Sequence, residues 1–268
     1  WEVLNDFHMV HMAGTGIRGV DLYVRTEKGW SFVGAGKPYQ AANTAQLIKN
    51  LNGESGEYLL YCPLYDGLKS LEIGTDPDAV IEGAARRERP LVFYGTSITQ
   101  GGCASRPGMA YPAIVGRALD RETVNLGFSG NGRMEPEMIR YLSDIDAACF
   151  ILDCLPNMDL ALIRSNAETG IRGILDARPG TPLLLVPSIM PENGWHDPAV
   201  YGEIVAKNEE LEAIYDRLKK EYRNLDYIPF RDIRRVPVEG TVDGVHLTDL
   251  GQARMAEVLG KRIRKLIR

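Results

Sequence analysis

The sequence predicts two units: a smaller β-sandwich-type domain, then an α/β domain built on a doubly wound parallel sheet. Three observations carry this. From Leu91 onward, short apolar runs alternate with segments of helical period, the pattern of a parallel sheet with helices on both faces. Residues 1–76 hold strand-like runs broken by turn dipeptides, with no long helical periodicity. Between them, residues 77–89 are polar and proline-bounded, from Asp76-Pro77 to Arg89-Pro90, and read as a linker to a domain spanning 90–268.

In the first unit Val20 to Val24 and Trp30 to Val33 read as strands joined by the turn Glu27-Lys28-Gly29. Leu47 to Leu51, Glu57 to Tyr61 and Leu68 to Ile73 are further candidates, punctuated by Asn52-Gly53 and Asp66-Gly67. About five strands with no visible beginning suggest a sandwich short at its start. In the second unit Leu91 to Gly95 is a strand, and Met109 to Leu119 a helix that tolerates Pro112 in its first turn. Thr123 to Leu126 and Ala147 to Leu152 are strands, with a helix over Glu135 to Leu142 between them. Residues 159–178 are largely helical, and Pro182 to Val186 is the fourth strand. Ile204, Asn208, Leu211, Tyr215, Leu218 and Tyr222 mark one face of a long amphipathic helix. Leu225 to Ile228 is the fifth strand, and Thr248 is placed to cap a final helix reaching about Ile267.

Composition narrows the function. With 44% hydrophobic and 25% charged residues, the 268-residue chain reads as a soluble globular protein. A net charge of −5 argues against a nucleic-acid partner, and Arg86, Arg87 and Arg89 read as a solvated linker run. No apolar stretch approaches the ~20 residues that span a bilayer, so no membrane partner is expected. The chain opens at Trp1 with no targeting segment, which suggests a processed or truncated start. Cys62, Cys103, Cys149 and Cys154 lack zinc or redox spacing and read as buried free thiols. Cys149 and Cys154, five apart, should face opposite sides of a strand. His8 and His11 fall on opposite faces of an extended segment, so they make no metal pair. No metal and no cofactor is expected.

The chemistry-capable residues sit where strands meet helices. Ser97 follows the first strand of the α/β domain, Gly127-Phe-Ser-Gly-Asn-Gly132 the second, and Asp153-Cys-Leu-Pro-Asn157 the third, while Asp243-Gly-Val-His246 precedes the last helix. In a parallel sheet these junctions share one rim. A serine hydroxyl needs a base to become a nucleophile, and His246 suits that task because histidine titrates near neutrality. Asp243, three residues upstream, can hold the other ring nitrogen. The N–H groups of Ser97 and Gly130 and the Asn157 amide are candidate donors to a developing oxyanion. Trp195, in the loop Pro191-Glu-Asn-Gly-Trp-His-Asp197, reads either as a pocket wall or as a loop anchor packed on the domain.

Gly95-Thr-Ser-Ile-Thr99, Asn125-Leu-Gly-Phe-Ser-Gly130, Leu152-Asp-Cys-Leu-Pro-Asn157 and Asp243-Gly-Val-His246 resemble, in order, the four sequence blocks of the SGNH (GDSL-type) hydrolases. The run Tyr94 to Ala110 and the motif Gly19-Val-Asp-Leu-Tyr23 resemble the subgroup with an N-terminal GxDLY domain. Thr96 stands where many GDSL members have Asp, and Pro156-Asn157-Met158 replaces the more usual Gly-Asn-Asp. The resemblance implies a flavodoxin-like sheet, Ser97, Asp243 and His246 as the triad, and Ser97, Gly130 and Asn157 as the oxyanion hole. It also implies a carboxylester hydrolase for a small acyl ester, acetyl on a carbohydrate first. An acyltransferase with the same triad and an inactive glycan-binding module are the rivals.

Overall fold

The computed structural model describes residues 1–84 and 88–268. Arg86 and Arg87 of the basic run therefore lie outside the described residues. Arg89 stands 3.6 Å from Asp146.

The N-terminal region holds two small antiparallel sheets. β1 (Glu2–Val3) pairs with β5 (Leu68–Ser70), and β2 (Val20–Thr26) lies between β3 (Gly29–Gly36) and β4 (Tyr58–Tyr61). A four-residue helix, α1 (Gly14–Ile17), precedes β2. The hairpin at Glu27-Lys28-Gly29 is present, and Gly29 takes the positive φ (105°) its turn needs. Leu47–Leu51 is not a strand, a correction to the sequence reading. Asn50 sits at φ +55°, which breaks an extended run, and Leu51 is left exposed.

The rest of the chain forms the parallel sheet. β6 (Leu91–Gly95), β7 (Thr123–Gly127), β8 (Cys149–Asp153), β9 (Leu183–Leu185) and β10 (Leu225–Tyr227) run in the order β10-β9-β8-β6-β7. This is the flavodoxin-like order, with its reversal point at β6. Both faces of the sheet are covered, so its central strands β6 and β8 read as continuous buried apolar runs, while the edge strand β7 is partly exposed at Asn125. Val92, Tyr94, Phe150, Leu152 and Cys154 enter one core; Leu91, Phe93, Cys149 and Ile151 enter the other. The two cysteines thus face opposite sides, as their spacing required. Cys62 is exposed, so the expectation of four buried thiols holds only for Cys103, Cys149 and Cys154.

After β6 comes the short helix α2 (Ser97–Gln100), and then α3 (Tyr111–Leu119). The Met109–Leu119 helix begins two residues late because Pro112 occupies the first turn, behind a 3₁₀ turn at Pro107–Met109. α4 (Pro136–Ser143) follows β7. After β8, α5 (Leu160–Leu162) and α6 (Glu168–Ala177) are joined by a π-helical turn, giving the helical stretch read over 159–178. The amphipathic helix α7 (Pro198–Leu218) starts earlier than its apolar face shows. Asp197 accepts from the N–H groups of Ala199 and Val200, and Pro198 fills the first helical position, where an N–H has no partner anyway. α8 (Phe230–Ile233) and α9 (Asp249–Leu266) complete the fold. Thr248 holds the N-cap position of α9 but its side chain makes no cap bond. Asp249 turns instead to Ser105, accepting from its N–H at 2.8 Å and its hydroxyl at 2.6 Å. Among the described residues no helix is long and apolar enough to cross a membrane.

The motif Gly19–Tyr23 explains how the N-terminal sheet meets the loop and helix that follow β6. Asp21 is fully buried, accepts from the Gly108 N–H at 2.9 Å, and is paired with Arg106. Arg106 also donates to the Tyr23 hydroxyl at 2.6 Å and lies 4.0 Å above the Phe32 ring. Arg117 of α3 stacks on Tyr23 from 4.0 Å. Burial pushes the Asp21 carboxyl up, while Arg106 and the Gly108 N–H pull against it. Removing either charge would strand the other, which is costly in a buried pair.

Candidate active site

The ends of β6, β7 and β8 are level: Gly95 is in register with both Gly127 and Asp153. The loops that follow therefore leave the sheet at the same height, on the rim where open α/β sheets bind ligands. Ser97 is the first residue of α2, capped by the Thr96 side chain, which accepts from the Ile98 N–H at 3.3 Å. As a first-turn residue it keeps a backbone N–H without an intrahelical acceptor.

The structure brings Ser97, His246 and Asp243 together across 149 residues of chain. Ser97 Oγ stands 2.9 Å from His246 Nε2, and His246 Nδ1 stands 2.6 Å from Asp243 Oδ2. The other Asp243 oxygen accepts from the backbone N–H of His246 at 2.8 Å and of Val245 at 3.1 Å. Burial alone would raise the Asp243 carboxyl, but these three bonds from His246 and Val245 hold it down at about 2. It is ionised at neutral pH and can accept a hydrogen bond from Nδ1–H. Because its folded value lies below the ordinary carboxylate value, its contribution to stability is present above about pH 4 and is lost as pH falls through about 2.

Gly130 and Asn157 belong to the β7 and β8 loops. Gly130 has φ +71° with open space where a side chain would be, so its backbone shape demands glycine. The Asn157 amide donates to the Asn131 carbonyl at 2.7 Å, which ties the two loops together. An amide nitrogen carries two hydrogens, and this bond spends one. Trp195 is not packed on the domain: its indole is 84% exposed and tilts against His196 with ring centroids 5.0 Å apart. The reading of Trp195 as a packed loop anchor is therefore corrected.

Three residues near Ser97, His246 and Asp243 were not legible in the sequence. Glu192, from the same loop as Trp195, clasps the segment that carries Asp243 and His246. Its carboxylate accepts from Thr241 Oγ1 at 2.6 Å, from the Thr241 N–H at 3.0 Å and from the Glu239 N–H at 3.2 Å, while its own N–H donates to the Gly244 carbonyl at 2.8 Å. His11 and Tyr65 come from the N-terminal region. The His11 ring lies 5.4 Å from the His246 ring, and the Tyr65 hydroxyl faces the Ser97 carbonyl at 3.5 Å. Gly102 lets Tyr65 and His246 close in: a methyl group there would lie 2.9 Å from the Tyr65 hydroxyl and 3.1 Å from the His246 ring. Residue type alone held a faint signal for His11 and none for Glu192.

A buried polar network supports the rim from below. Asp153 accepts from Tyr111 and from Thr99, each at 3.1 Å. Burial outweighs these bonds and pushes its carboxyl up to about 6. The folded state thus prefers the protonated acid. Its stabilising contribution is complete below about pH 4 and is lost as pH rises through about 6. Asp153→Asn keeps the acceptor oxygen and should remove that pH dependence, leaving the variant more stable than the parent above pH 6 by on the order of 3 kcal/mol. Urea unfolding of both proteins across this pH range checks it; parallel curves would contradict the assignment.

Residues 88–264 match the model of the GDSL-like lipase/acylhydrolase family, and residues 1–81 match that of the N-terminus of SGNH-hydrolase-type esterases. The chain belongs to the GDSL-like lipase/acylhydrolase family. A protein described as a GDSL-like lipase from Bacteroides ovatus is 36% identical, with TM-score 0.92 over 99% of this chain and 80% of its own. The salicylyl-acyltransferase SsfX3 of a tetracycline biosynthetic pathway shares the fold at 19% identity, with TM-score 0.74 over 93% of this chain and 73% of its own. So does a family two carbohydrate esterase from Clostridium thermocellum, solved with cellohexaose, at 14% identity and TM-score 0.68 over 94% and 87%. No curated protein matches the chain. As a GDSL-like hydrolase, the chain is an esterase.

Proposed function

We propose that this GDSL-like esterase removes a small acyl group, acetyl first, from a carbohydrate through an acyl-enzyme on Ser97. The relay from Ser97 Oγ through His246 to Asp243, at 2.9 and 2.6 Å, carries the reading. The serine oxygen attacks the ester carbonyl while its proton passes to His246 Nε2, and ionised Asp243 steadies the imidazolium through Nδ1–H. The carbonyl oxygen becomes an oxyanion, which the Ser97 and Gly130 N–H groups and the Asn157 amide are suited to hold. Collapse expels the alcohol, which takes its proton from His246. Water then repeats the sequence on the acyl-enzyme and releases the acid.

A small acyl group is supported by a cavity lined by sequence neighbours of the site residues, although Ser97, Asp243, His246 and Asn157 do not themselves line it. It has a volume of about 200 Å³, and Ile98, Pro156 and Val245, which line it, each adjoin a proposed site residue. Glu203 and Lys207 form a charged part of its wall, joined at 2.6 Å. A long alkyl chain pressed against that pair would strip its water without replacing it. The carbohydrate alcohol rests on the family-two esterase neighbour and on the accessory β-rich region. Esters of increasing acyl length, assayed below their micellar concentrations, are expected to show the highest kcat/KM at acetate. Faster hydrolysis of long-chain esters would refute the small-acyl reading, and transfer to an added alcohol in preference to water would favour an acyltransferase.

The oxyanion role of Asn157 gives a sharper expectation. Asn157→Ala should lower kcat by roughly 10²–10³ with a smaller change in KM, because the amide is used mainly as charge develops. A raised KM with kcat unchanged would reduce Asn157 to a substrate-positioning residue.

A further inference from the structure

We propose that His11, Asp243 and His246 form a binding site for a divalent transition-metal ion of the zinc class, and that filling it shuts the esterase off. One donor atom from each of the three lies within 4.8 Å of the others. Two imidazoles and a carboxylate are a donor set that zinc favours. Zinc bonds of about 2.0–2.2 Å put tetrahedral ligand atoms roughly 3.3–3.6 Å apart, so the trio is near closure but not closed. The His11 and His246 rings, 5.4 Å apart and tilted by 49°, can cover the difference by side-chain rotation.

The segment that carries His11 is anchored through its backbone. The His11 carbonyl accepts from Cys103 Sγ at 3.2 Å, and Met12, Ile17 and Cys103 form a small buried cluster. The ring itself is only half-buried.

Inhibition follows from the way His246 uses both its ring nitrogens. Nδ1 serves Asp243 and Nε2 serves Ser97. An ion on Nδ1 takes the Asp243 oxygen and shifts the ring proton to Nε2, which then donates to Ser97 and has no lone pair to accept its proton. An ion on Nε2 occupies the lone pair that accepts the serine proton. Either way proton transfer stops, and no redox change or external reactant is involved. The N-terminal region would thereby gain a role in control that neither sheet has alone.

The inhibitory half of this proposal rests on the hydrolase reading above; the binding half does not. The test titrates Zn²⁺ into the full chain by calorimetry and, in parallel, into the ester assay. A Cys62→Ser background removes the exposed thiol as a competing ligand. The parent is expected to bind one ion per chain and to lose activity, recovering fully with a chelator. His11→Gln, with His11→Ala beside it in case either folds poorly, should retain basal kcat/KM and weaken both binding and inhibition by at least about tenfold. Equal binding in the His11 variants and the parent, or no binding at all, would overturn the site. Binding that depends on His11 without loss of activity would overturn the inhibition and leave the site. His11-dependent binding in a parent with no esterase activity would instead count against the hydrolase reading.

Discussion

Ser97→Ala is expected to abolish ester hydrolysis while leaving the protein folded. The substitution removes the only atom of the relay that can attack the carbonyl, so no acyl-enzyme can form. Residual turnover would come from the oxyanion donors and substrate binding alone, roughly 10⁴–10⁶ below the parent. Stability should hardly move. Ser97 opens a short helix whose cap comes from Thr96, and alanine is a good helix former. His246 keeps its bond to Asp243, so no buried polar atom is orphaned. The thermal midpoint is expected within about 2–4 °C of the parent. A purified Ser97→Ala variant with a native melt and activity within a few-fold of the parent would remove Ser97 from the mechanism.

Asp243→Asn should cost nearly as much, for a different reason. The carboxylate accepts at both oxygens, from Nδ1 of the ring and from two backbone N–H groups. Asparagine keeps one acceptor oxygen, and the backbone N–H pair claims it. Its amide N–H₂ then faces Nδ1, which must become the acceptor, and the ring proton moves to Nε2. In that tautomer His246 presents a donor to Ser97 and cannot take its proton, a change worth roughly 10⁴ in rate where it has been measured on such triads. The loop should stay in place, since the turn bonds at Val245 and His246 survive. The measurement is kcat for parent and variant from neutral to mildly alkaline pH, with and without chelator. A parent-like rate in the variant would dismiss Asp243 as the partner of the base. Activity lost on chelation would point to a metal-dependent hydrolase, in which Ser97 is dispensable.

Much of this was legible along the chain because the relevant physics is local. Buried parallel strands must be apolar on both faces, so Leu91–Gly95 and Cys149–Asp153 announce themselves without any contact being known. Placing Ser97, Asn157 and the glycine loop at strand ends follows from topology alone, since parallel strands deliver their exits to one rim. Even the earlier start of the long helix was written locally, in Asp197-Pro198. The non-strand at Leu47–Leu51 was not, because an apolar run looks alike whether or not a partner strand takes its backbone.

What only the tertiary structure decided are contacts between surfaces that no periodicity links. Asp21 and Tyr23 form a motif in the sequence, but that they grip Arg106 and Gly108 depends on how two sheets dock. His11 reads as unpaired with His8, on the opposite face of an extended segment, and that it lies over His246 is set by the fold of the N-terminal segment and not by its spacing. Glu192 shows the same limit. A carboxylate that binds two backbone N–H groups and a hydroxyl of a distant loop needs no particular residue type on the other side, so nothing in the one-dimensional pattern could mark it.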